Sequence, residues 1–255
     1  GDAEVLARDP GRLQGLARWL ETRDAEDAGN LEEALAILRG SQSYHGVALV
    51  DPSGNLLLGD EQARSDMPEF RNAVARAGTG TRVVFLDLHK RPDGSIHMAW
   101  LAPIYDPEMT RGEPLAIAVL DMDSATWLNP FLAAWPMPSR TGENALIRRD
   151  GDAIVSLIDT RLGHGEPLAH RFPLDNVELP AVRHVRFGDT TATGKDHRGE
   201  RVIAAMATIP ATGWILIAKM DEAEALAEIE GLAFVVGLSI IFALTGGLGI
   251  AVLLW

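Results

Sequence analysis

The polar side chains best suited to bind a small molecule are spread over three predicted strands in the first half of the chain. Residues two apart in a strand lie on the same face of its sheet. In SIHMAWLAPIY every even-numbered position is apolar, whereas His97 and Tyr105 are odd-numbered. Asp87 in VVFLDL and Asp121 in LAIAVLDMD likewise follow apolar odd-numbered positions. We therefore predict that these four side chains share one face of a sheet, and that the even-numbered face packs on an N-terminal helix.

That odd-numbered face combines apolar side chains with a few polar groups, which is the composition of a small-ligand pocket. Antiparallel sheets also commonly leave one face to solvent. The residues alone therefore leave open whether these polar groups bind a ligand or are simply hydrated.

The sequence contains no recognisable catalytic motif. A nucleophile elbow, a P-loop and an H-E-x-x-H zinc motif are absent from it, and it has no cysteine. His89 and His97 flank a Pro-Asp-Gly turn as predicted cross-strand neighbours, but two imidazoles without a third ligand are typical of a simple pair on a sheet. We predict no catalytic residue, no metal and no cofactor in this chain.

These side chains must be positioned by helices and strands that the pattern of apolar residues outlines. Helical spacing over residues 1–40 predicts a long N-terminal helix, which DAGN at 27–30 breaks or kinks and Gly40 ends. From Tyr44 the pattern changes to strands. YHGVALVDPSGNLLL predicts a hairpin, MPEFRNAVARAG a short helix, the segment around PDG at 92–94 a second hairpin, and EPLAIAVLDMD a further strand.

The same order of elements then repeats. NALIRRDGDAIVSL is again a hairpin, ELPAVRHVRFG a short helix, TTATGKDHRGERVIAAMATI a hairpin and GWILIAKMDEAEA a closing strand. Two tandem copies of one α+β unit explain this repeat, each an antiparallel sheet of about five strands with helices on its faces. The predicted segments are a helix at 1–40, one unit at 41–137, a second unit at 138–220, and a juxtamembrane and membrane segment at 221–255.

The last of these segments contains residues 231–255, which include no Asp, Glu, Lys, Arg or His. A bilayer-spanning helix needs about 20 apolar residues, so we predict a transmembrane helix here. Small residues recur at every fourth position and could let two such helices pack closely in a homodimer, although small residues are also common in spanning helices generally. These residues are Ser239, Ala243, Gly247 and Ala251.

The charge of the chain excludes one class of partner. Its formal net charge is −13, and nucleic-acid binding requires a basic face. We predict no nucleic-acid partner.

The order of elements resembles that of the double Cache sensor domain, a tandem of PAS-like folds found outside the bacterial cytoplasm. The resemblance rests on the paired units, on WLAPIYD and LAIAVLDMD in the first, and on SRTGENALIRRDGD, GKDHRGERVIAA and GWILIAKMDEAEA in the second. It implies that residues 1–230 are periplasmic and that residues 231–255 anchor the chain in the inner membrane of a bacterium.

The resemblance also implies a sensor. In this family the ligand usually lies in the membrane-distal unit, where an acid near the end of the last strand often meets a ligand amine. Asp121 or Asp123 occupies that place, and Arg71 on the short helix is a candidate partner for a ligand carboxylate. We expect a small polar ligand whose binding shifts the transmembrane helix of a homodimer.

The second unit looks like those of sensors fused to histidine kinases, or to diguanylate cyclases and cyclic-di-GMP phosphodiesterases. The resemblance therefore implies a cytoplasmic output domain of one of these kinds beyond residue 255. The alternative is a membrane-anchored interaction module that binds no small molecule.

Overall fold

Two antiparallel β-sheets form the framework of the chain, one in each of two units, Gly1–Phe131 (unit 1) and Leu132–Trp255 (unit 2). The predicted α+β class is confirmed. The computed structural model describes residues 10–42, 44–80, 82–106, 113–163 and 166–227.

Among the described residues, unit 1 has five strands and three helices, and a fourth helix begins in unit 1 and ends in unit 2. The strands are β1 (Gly46–Val50), β2 (Leu56–Gly59), β3 (Val84–Lys90), β4 (Ile96–Ile104) and β5 (Ala116–Asp123). The helices are α1 (Pro10–Thr22), α2 (Ala25–Gln42), α3 (Pro68–Thr79) and α4 (Leu128–Ala133), with a 3-10 turn at Glu61–Ala63. The strand order is β2-β1-β5-β4-β3, and every neighbouring pair is antiparallel.

The predicted long N-terminal helix is two helices that pack against each other. The chain turns at Arg23, which has a positive φ of 56°, and at Asp24, whose Oδ1 accepts the N–H groups of Glu26 and Asp27. This aspartate caps the N-terminus of α2. The predicted break at 27–30 is wrong, because those residues lie inside α2, which also continues past Gly40. A local side-chain cap therefore decides the break, whereas the glycine at position 29 is tolerated within the helix.

Both faces of the unit 1 sheet are covered by helices. One face packs on α1 and α2 and includes Trp100, Ala102 and Ile104, as the even-numbered parity of β4 predicted. The opposite face packs on α3 through Phe70 and Val74. The odd-numbered face of β4 is therefore filled by apolar packing over most of its length.

Unit 2 repeats this arrangement with one additional strand. Its strands are β6 (Glu143–Asp150), β7 (Ala153–Ser156), β8 (Arg171–Pro173), β9 (Thr191–Lys195), β10 (Arg201–Thr208) and β11 (Trp214–Asp221), and its helix is α5 (Pro180–Phe187). The order β8-β7-β6-β11-β10-β9 matches that of unit 1 strand for strand once β8 is left out. This match is the result expected for tandem copies of one unit.

One face of the unit 2 sheet carries the core and the other is exposed along β10. Ala204 and Met206 are buried and pack in the cluster that includes Val182 of α5 and Leu179, which precedes that helix. Ala205, between them in sequence, is exposed. This alternation is the period of a strand with one buried face.

The chain continues from β11 into a helix over residues 222–227. No helix within the described ranges is long and apolar enough to cross a bilayer. The predicted transmembrane segment, residues 231–255, lies outside the described residues. So do its predicted packing residues Ser239, Ala243, Gly247 and Ala251.

Candidate functional site

A cleft in unit 2 lies between the sheet and the elements that cover it, which are α5, β8 and the loop at 158–163. It forms where alternate residues of β6, β7 and β11 present apolar side chains toward α5. The walls include Ala145, Ile147, Ile154, Phe172, Leu179 and Ile217. A concave apolar surface with a few polar groups at defined places is typical of a small-molecule site.

One end of the cleft is formed by a buried lysine held between two buried acids. Nζ of Lys219 lies 2.5 Å from Oδ2 of Asp196 and 2.7 Å from Oε1 of Glu143. The pairing of β11 with β6 places Lys219 opposite Glu143, and Asp196 follows β9. Nδ1 of His197 lies 3.3 Å from the same ammonium. The charge of Lys219 is therefore compensated by the protein itself.

The lysine keeps both acids ionised. Burial raises the pKa of the Asp196 carboxyl, but hydrogen bonds from Lys219 and Arg198 outweigh burial and lower that pKa to about 2. Burial also opposes ionisation of Glu143, and the hydrogen bond from Lys219 again prevails, so the pKa of Glu143 lies below its ordinary value. At neutral pH both acids of the cluster are therefore carboxylates.

Sequence reasoning missed this cluster, although a signal was present. In WILIAKMD, Lys219 has the same strand parity as Ile215 and Ile217, which are buried. Lysine is almost never fully buried unless it is paired, so a lysine on the core-facing side of a strand predicts acidic partners. The signal does not say which acids these are, because Glu143 and Asp196 belong to other strands and turns.

Further acidic groups line the cleft. Asp159 and Glu166 are carboxylates, and His170 lies with them among the lining residues. Lys219 is the single lysine or arginine among the described residues that line the cleft. Because its charge is already neutralised, the cleft as a whole favours a cationic or neutral ligand over an anionic one.

Unit 1 brings together two of the predicted site residues, Asp121 and His97, in a buried cluster. Asp121 is 1% exposed, and its two carboxylate oxygens accept hydrogen bonds of 2.8 Å, one from Nη2 of Arg91 and one from Nδ1 of His97. His45 packs edge-on against His97, with ring centroids 4.8 Å apart. Both oxygens of Asp121 are thus engaged by the protein, so a ligand amine would have to displace one of these donors.

A β-bulge separates Asp87 from the predicted set. The register of β3 against β4 shifts between Leu86 and His89, so His89 is the residue directly opposite His97. Directly opposed residues lie on the same face of a sheet. The Asp87 carboxylate instead accepts the N–H of Leu88 at 2.7 Å. Strand parity failed here because a bulge adds one residue to the alternation.

The other three predicted residues make local contacts or lie on the surface. The Tyr105 hydroxyl donates a hydrogen bond of 2.6 Å to the carbonyl oxygen of Gly80. Oδ1 of Asp123 accepts the N–H of Ala125 at 2.8 Å in the turn after β5. Arg71 is exposed on α3.

Two groups of side chains have ligand atoms close enough together to hold a metal ion, all within 4.8 Å of one another in each group. They are His45, His97 and Asp121 in unit 1, and Glu143, Asp196 and His197 in unit 2. In the second group the ammonium of Lys219 already lies within hydrogen-bond distance of all three residues. A metal ion there would have to displace this lysine.

Glu224 ties the helix after β11 to the start of unit 2. Its Oε1 accepts hydrogen bonds of 2.9 Å from Oγ of Ser139 and from the N–H of Arg140, and its Oε2 accepts the N–H and the hydroxyl of Thr141. The Thr141 hydroxyl and the Arg140 N–H are the main causes that lower the pKa of Glu224 to about 2. The first helical turn is therefore fixed to residues 139–141.

Comparison with known proteins shows a likeness of fold. No family model and no curated protein sequence matches the chain. The ligand-binding domain of the Pseudomonas aeruginosa PAO1 amino acid chemoreceptor PctB, solved in complex with L-arginine, is 16% identical, with a TM-score of 0.56 over 90% of this chain and 92% of that one. The sensor domain of the Vibrio cholerae histidine kinase DctB is 11% identical, with a TM-score of 0.53 over 86% and 87%.

An extracellular ligand-binding receptor from Desulfohalobium retbaense is 14% identical, with a TM-score of 0.51 over 86% of this chain and 38% of that one. These likenesses, at such low identity, concern the fold. The chain has the fold of the extracellular sensor domains of histidine kinases and chemoreceptors, and the predicted double Cache architecture is confirmed.

Proposed function

We propose that this chain is the extracytoplasmic ligand-sensing part of a transmembrane signalling receptor. The likeness of its fold to sensor domains supports the proposal, and the cleft of unit 2 is the single observation that carries it. The cleft opens between α5 and the sheet of unit 2, whereas in unit 1 the apolar side chains of α3 pack on the sheet at the corresponding place. An open apolar cleft beside a buried polar cluster is suited to a small ligand.

The chemistry of the cleft indicates the class of ligand. The apolar walls favour an aliphatic or aromatic body, and the carboxylates of Asp159 and Glu166 favour a positively charged or neutral polar group. An anionic ligand would gain little from Lys219, whose two acidic partners already compensate it. We therefore propose a small amine with an apolar body as the ligand of unit 2.

A thermal-shift screen of the purified chain tests this proposal, with a metabolite library that includes the matched probes phenethylamine and phenylacetate. A compound present at 100 times its Kd should stabilise the unit that binds it by about 2.7 kcal/mol. We expect amines to stabilise the chain and their carboxylate counterparts not to. A screen in which no compound changes the unfolding temperature would contradict a sensing function.

Two neighbouring alanines locate the site. Ala204 lines the cleft, whereas Ala205 is on the exposed face of the same strand. We expect Ala204→Phe to fill the cleft and abolish the ligand-induced shift, and Ala205→Phe to leave the shift unchanged. If both variants respond to the compound like the parent chain, the ligand binds elsewhere.

If the ligand does not bind in the cleft of unit 2, the second candidate for the binding site is the one in unit 1 that the sequence predicted. There a small polar ligand would contact several of Arg71, Asp87, His97, Tyr105, Asp121 and Asp123. Such a ligand would have to compete with Arg91 and His97 for the two oxygens of Asp121, because these oxygens are already hydrogen bonded.

We also propose that residues 231–255 span the inner membrane of a bacterium, that two chains pair there, and that ligand binding is relayed through this helix. The Glu224 contacts support a relay, because they fix the first helical turn to unit 2 and would pass on its movement. With the chain fused to the catalytic part of a histidine kinase, inserting Gly-Ser-Gly-Ser after residue 230 should uncouple the stabilising compound from autophosphorylation. The same insertion after Gly151, in the exposed turn between β6 and β7, is the control. Normal regulation after the first insertion would contradict the relay.

A membrane-anchored interaction module is the alternative function. Trp127 and Phe131 favour it, because they stack with ring centroids 6.3 Å apart while 45% and 69% exposed. Exposed aromatic side chains are enriched at protein–protein interfaces. A screen without hits, together with a periplasmic protein that the chain binds and Trp127→Ala releases, would support this function.

A further inference from the structure

The histidine cluster of unit 1 has features that a role in packing does not explain. Three histidines meet at one end of the sheet: His45 just before β1, His89 near the end of β3, and His97 near the start of β4. His97 is 2% exposed and His89 is 8% exposed. Histidine is only intermediate in its tendency to be buried, so two buried imidazoles beside a third require a reason.

In both buried rings, Nδ1 is hydrogen bonded to an acceptor. Nδ1 of His97 is bound to the carboxylate of Asp121 at 2.8 Å, and Nδ1 of His89 is bound to the carbonyl oxygen of Asp87 at 2.9 Å. Both partners are acceptors, so Nδ1 carries the proton and Nε2 carries the lone pair. Histidine ligands of metal ions are oriented in this way, by a carboxylate or a backbone carbonyl on the other ring nitrogen.

The free nitrogen of His89 points to a missing partner. Its Nε2 is buried and has no hydrogen-bond partner. Buried polar atoms are nearly always satisfied, and an exception requires an explanation such as an ion.

The three imidazole rings lie near one another at the same end of the sheet. His89 lies directly opposite His97 in the pairing of β3 with β4, and the rings of His45 and His97 have centroids 4.8 Å apart. Ligand atoms of His45, His97 and Asp121 lie within 4.8 Å of one another. Nitrogen ligands of zinc are about 2.0–2.1 Å from the ion, so the side chains would have to rotate to bind one, and His89, which lies outside that group, would have to move most.

We propose that His45, His89 and His97 form a site for a divalent transition-metal ion that prefers imidazole, such as Zn²⁺, with Asp121 orienting His97. Imidazole suits zinc, copper and nickel, whereas magnesium and calcium prefer oxygen ligands. The site belongs to unit 1 and is independent of the amine proposed for the cleft of unit 2. In the acidic group of unit 2 such an ion would have to displace Lys219.

Isothermal titration of the chelator-stripped, tag-free chain with ZnCl₂ tests the site, and Co²⁺ serves as a spectroscopic probe of the coordinating atoms. We expect one ion per chain at micromolar concentration and a visible Co²⁺ band of a nitrogen-ligated ion. His97→Gln and His45→Gln should each weaken binding at least about tenfold, the loss that even an outer partner of a metal site causes. His45 is exposed, so we expect His45→Gln to fold. This variant therefore still tests the site if His97→Gln unfolds unit 1.

Two controls separate this site from other zinc binding. His170→Gln, an exposed histidine of unit 2, should leave the zinc affinity unchanged. Glu143→Gln tests the acidic group of unit 2 and should also leave it unchanged. No zinc binding at micromolar concentration, or binding that both His45→Gln and His97→Gln retain at full affinity, would overturn the proposal.

Discussion

Replacing Lys219 by methionine is expected to lower the free energy of unfolding of unit 2 by about 3–5 kcal/mol, the usual cost of removing one partner of a buried ion pair. The Lys219 side chain is 8% exposed, and its acidic partners Glu143 and Asp196 are 0% and 3% exposed. Without the ammonium, two carboxylates remain close together in a buried place. Arg198, whose Nε lies 2.8 Å from Oδ2 of Asp196, compensates this acid in part. Among the described ion pairs, none joins Arg198 to Glu143.

Urea denaturation, followed by hydrogen exchange in β6 and β11, measures this loss within unit 2. Lys195→Met is the matched control, because Lys195 is 53% exposed and its ion pair with Glu178, at 3.2 Å, is a surface pair worth about 0–1 kcal/mol. Adding Glu143→Gln and Asp196→Asn to Lys219→Met should recover much of the stability, since the uncompensated charges are then gone. Equal losses for Lys219→Met and Lys195→Met would show that the cluster is not effectively buried.

The second large effect is expected for Asp121→Ala, which should destabilise unit 1 by about 3 kcal/mol. This change leaves Arg91, 12% exposed, without its counterion and His97 without its hydrogen-bond acceptor. Asp123→Ala, two residues along the same strand, should cost only about 1 kcal/mol, because Asp123 is half-buried and its carboxylate accepts one N–H in a turn.

Thermal unfolding of both variants, with hydrogen exchange in β4 and β5, distinguishes the two aspartates. Similar losses for both would mean that the Asp121 carboxylate is not needed to compensate Arg91. The comparison also affects ligand experiments. A loss of binding in Asp121→Ala is informative only at a temperature at which unit 1 of this variant is still folded.

The fold could be predicted from the sequence where local signals act alone. The hairpin turn at Pro92-Asp93-Gly94 and the Asp-Gly turn at Gly151 fixed the strands on either side, and repetition of the same signals revealed the second unit. Gly94 and Gly151 indeed have positive φ angles of 92° and 63°. The break between α1 and α2 was misplaced because an aspartate that caps a helix and an aspartate inside one look alike in sequence.

The candidate sites were predicted less well, because they depend on contacts between distant strands. Strand parity correctly placed His97 and Asp121 on one face. It could not show that Arg91 would donate a hydrogen bond to the Asp121 carboxylate. The sequence VVFLDLHK gives no clear sign of the β-bulge in β3. Because of this bulge, His89 rather than Asp87 lies opposite His97. The cleft of unit 2 depends on how closely α5 approaches the sheet. The periodicity of apolar residues does not predict that distance.

The hydrogen bonds of Glu224 have a consequence for how unit 2 could spread among proteins. They join residues 139–141, shortly before β6, to residue 224, shortly after β11. A domain whose two ends meet can be inserted into a host chain at a single surface position without stretching either partner, and its own ends can be joined and reopened elsewhere. The segment from residue 139 to residue 224 could therefore be inserted whole into a surface turn of another protein, because its two ends lie within reach of one glutamate side chain.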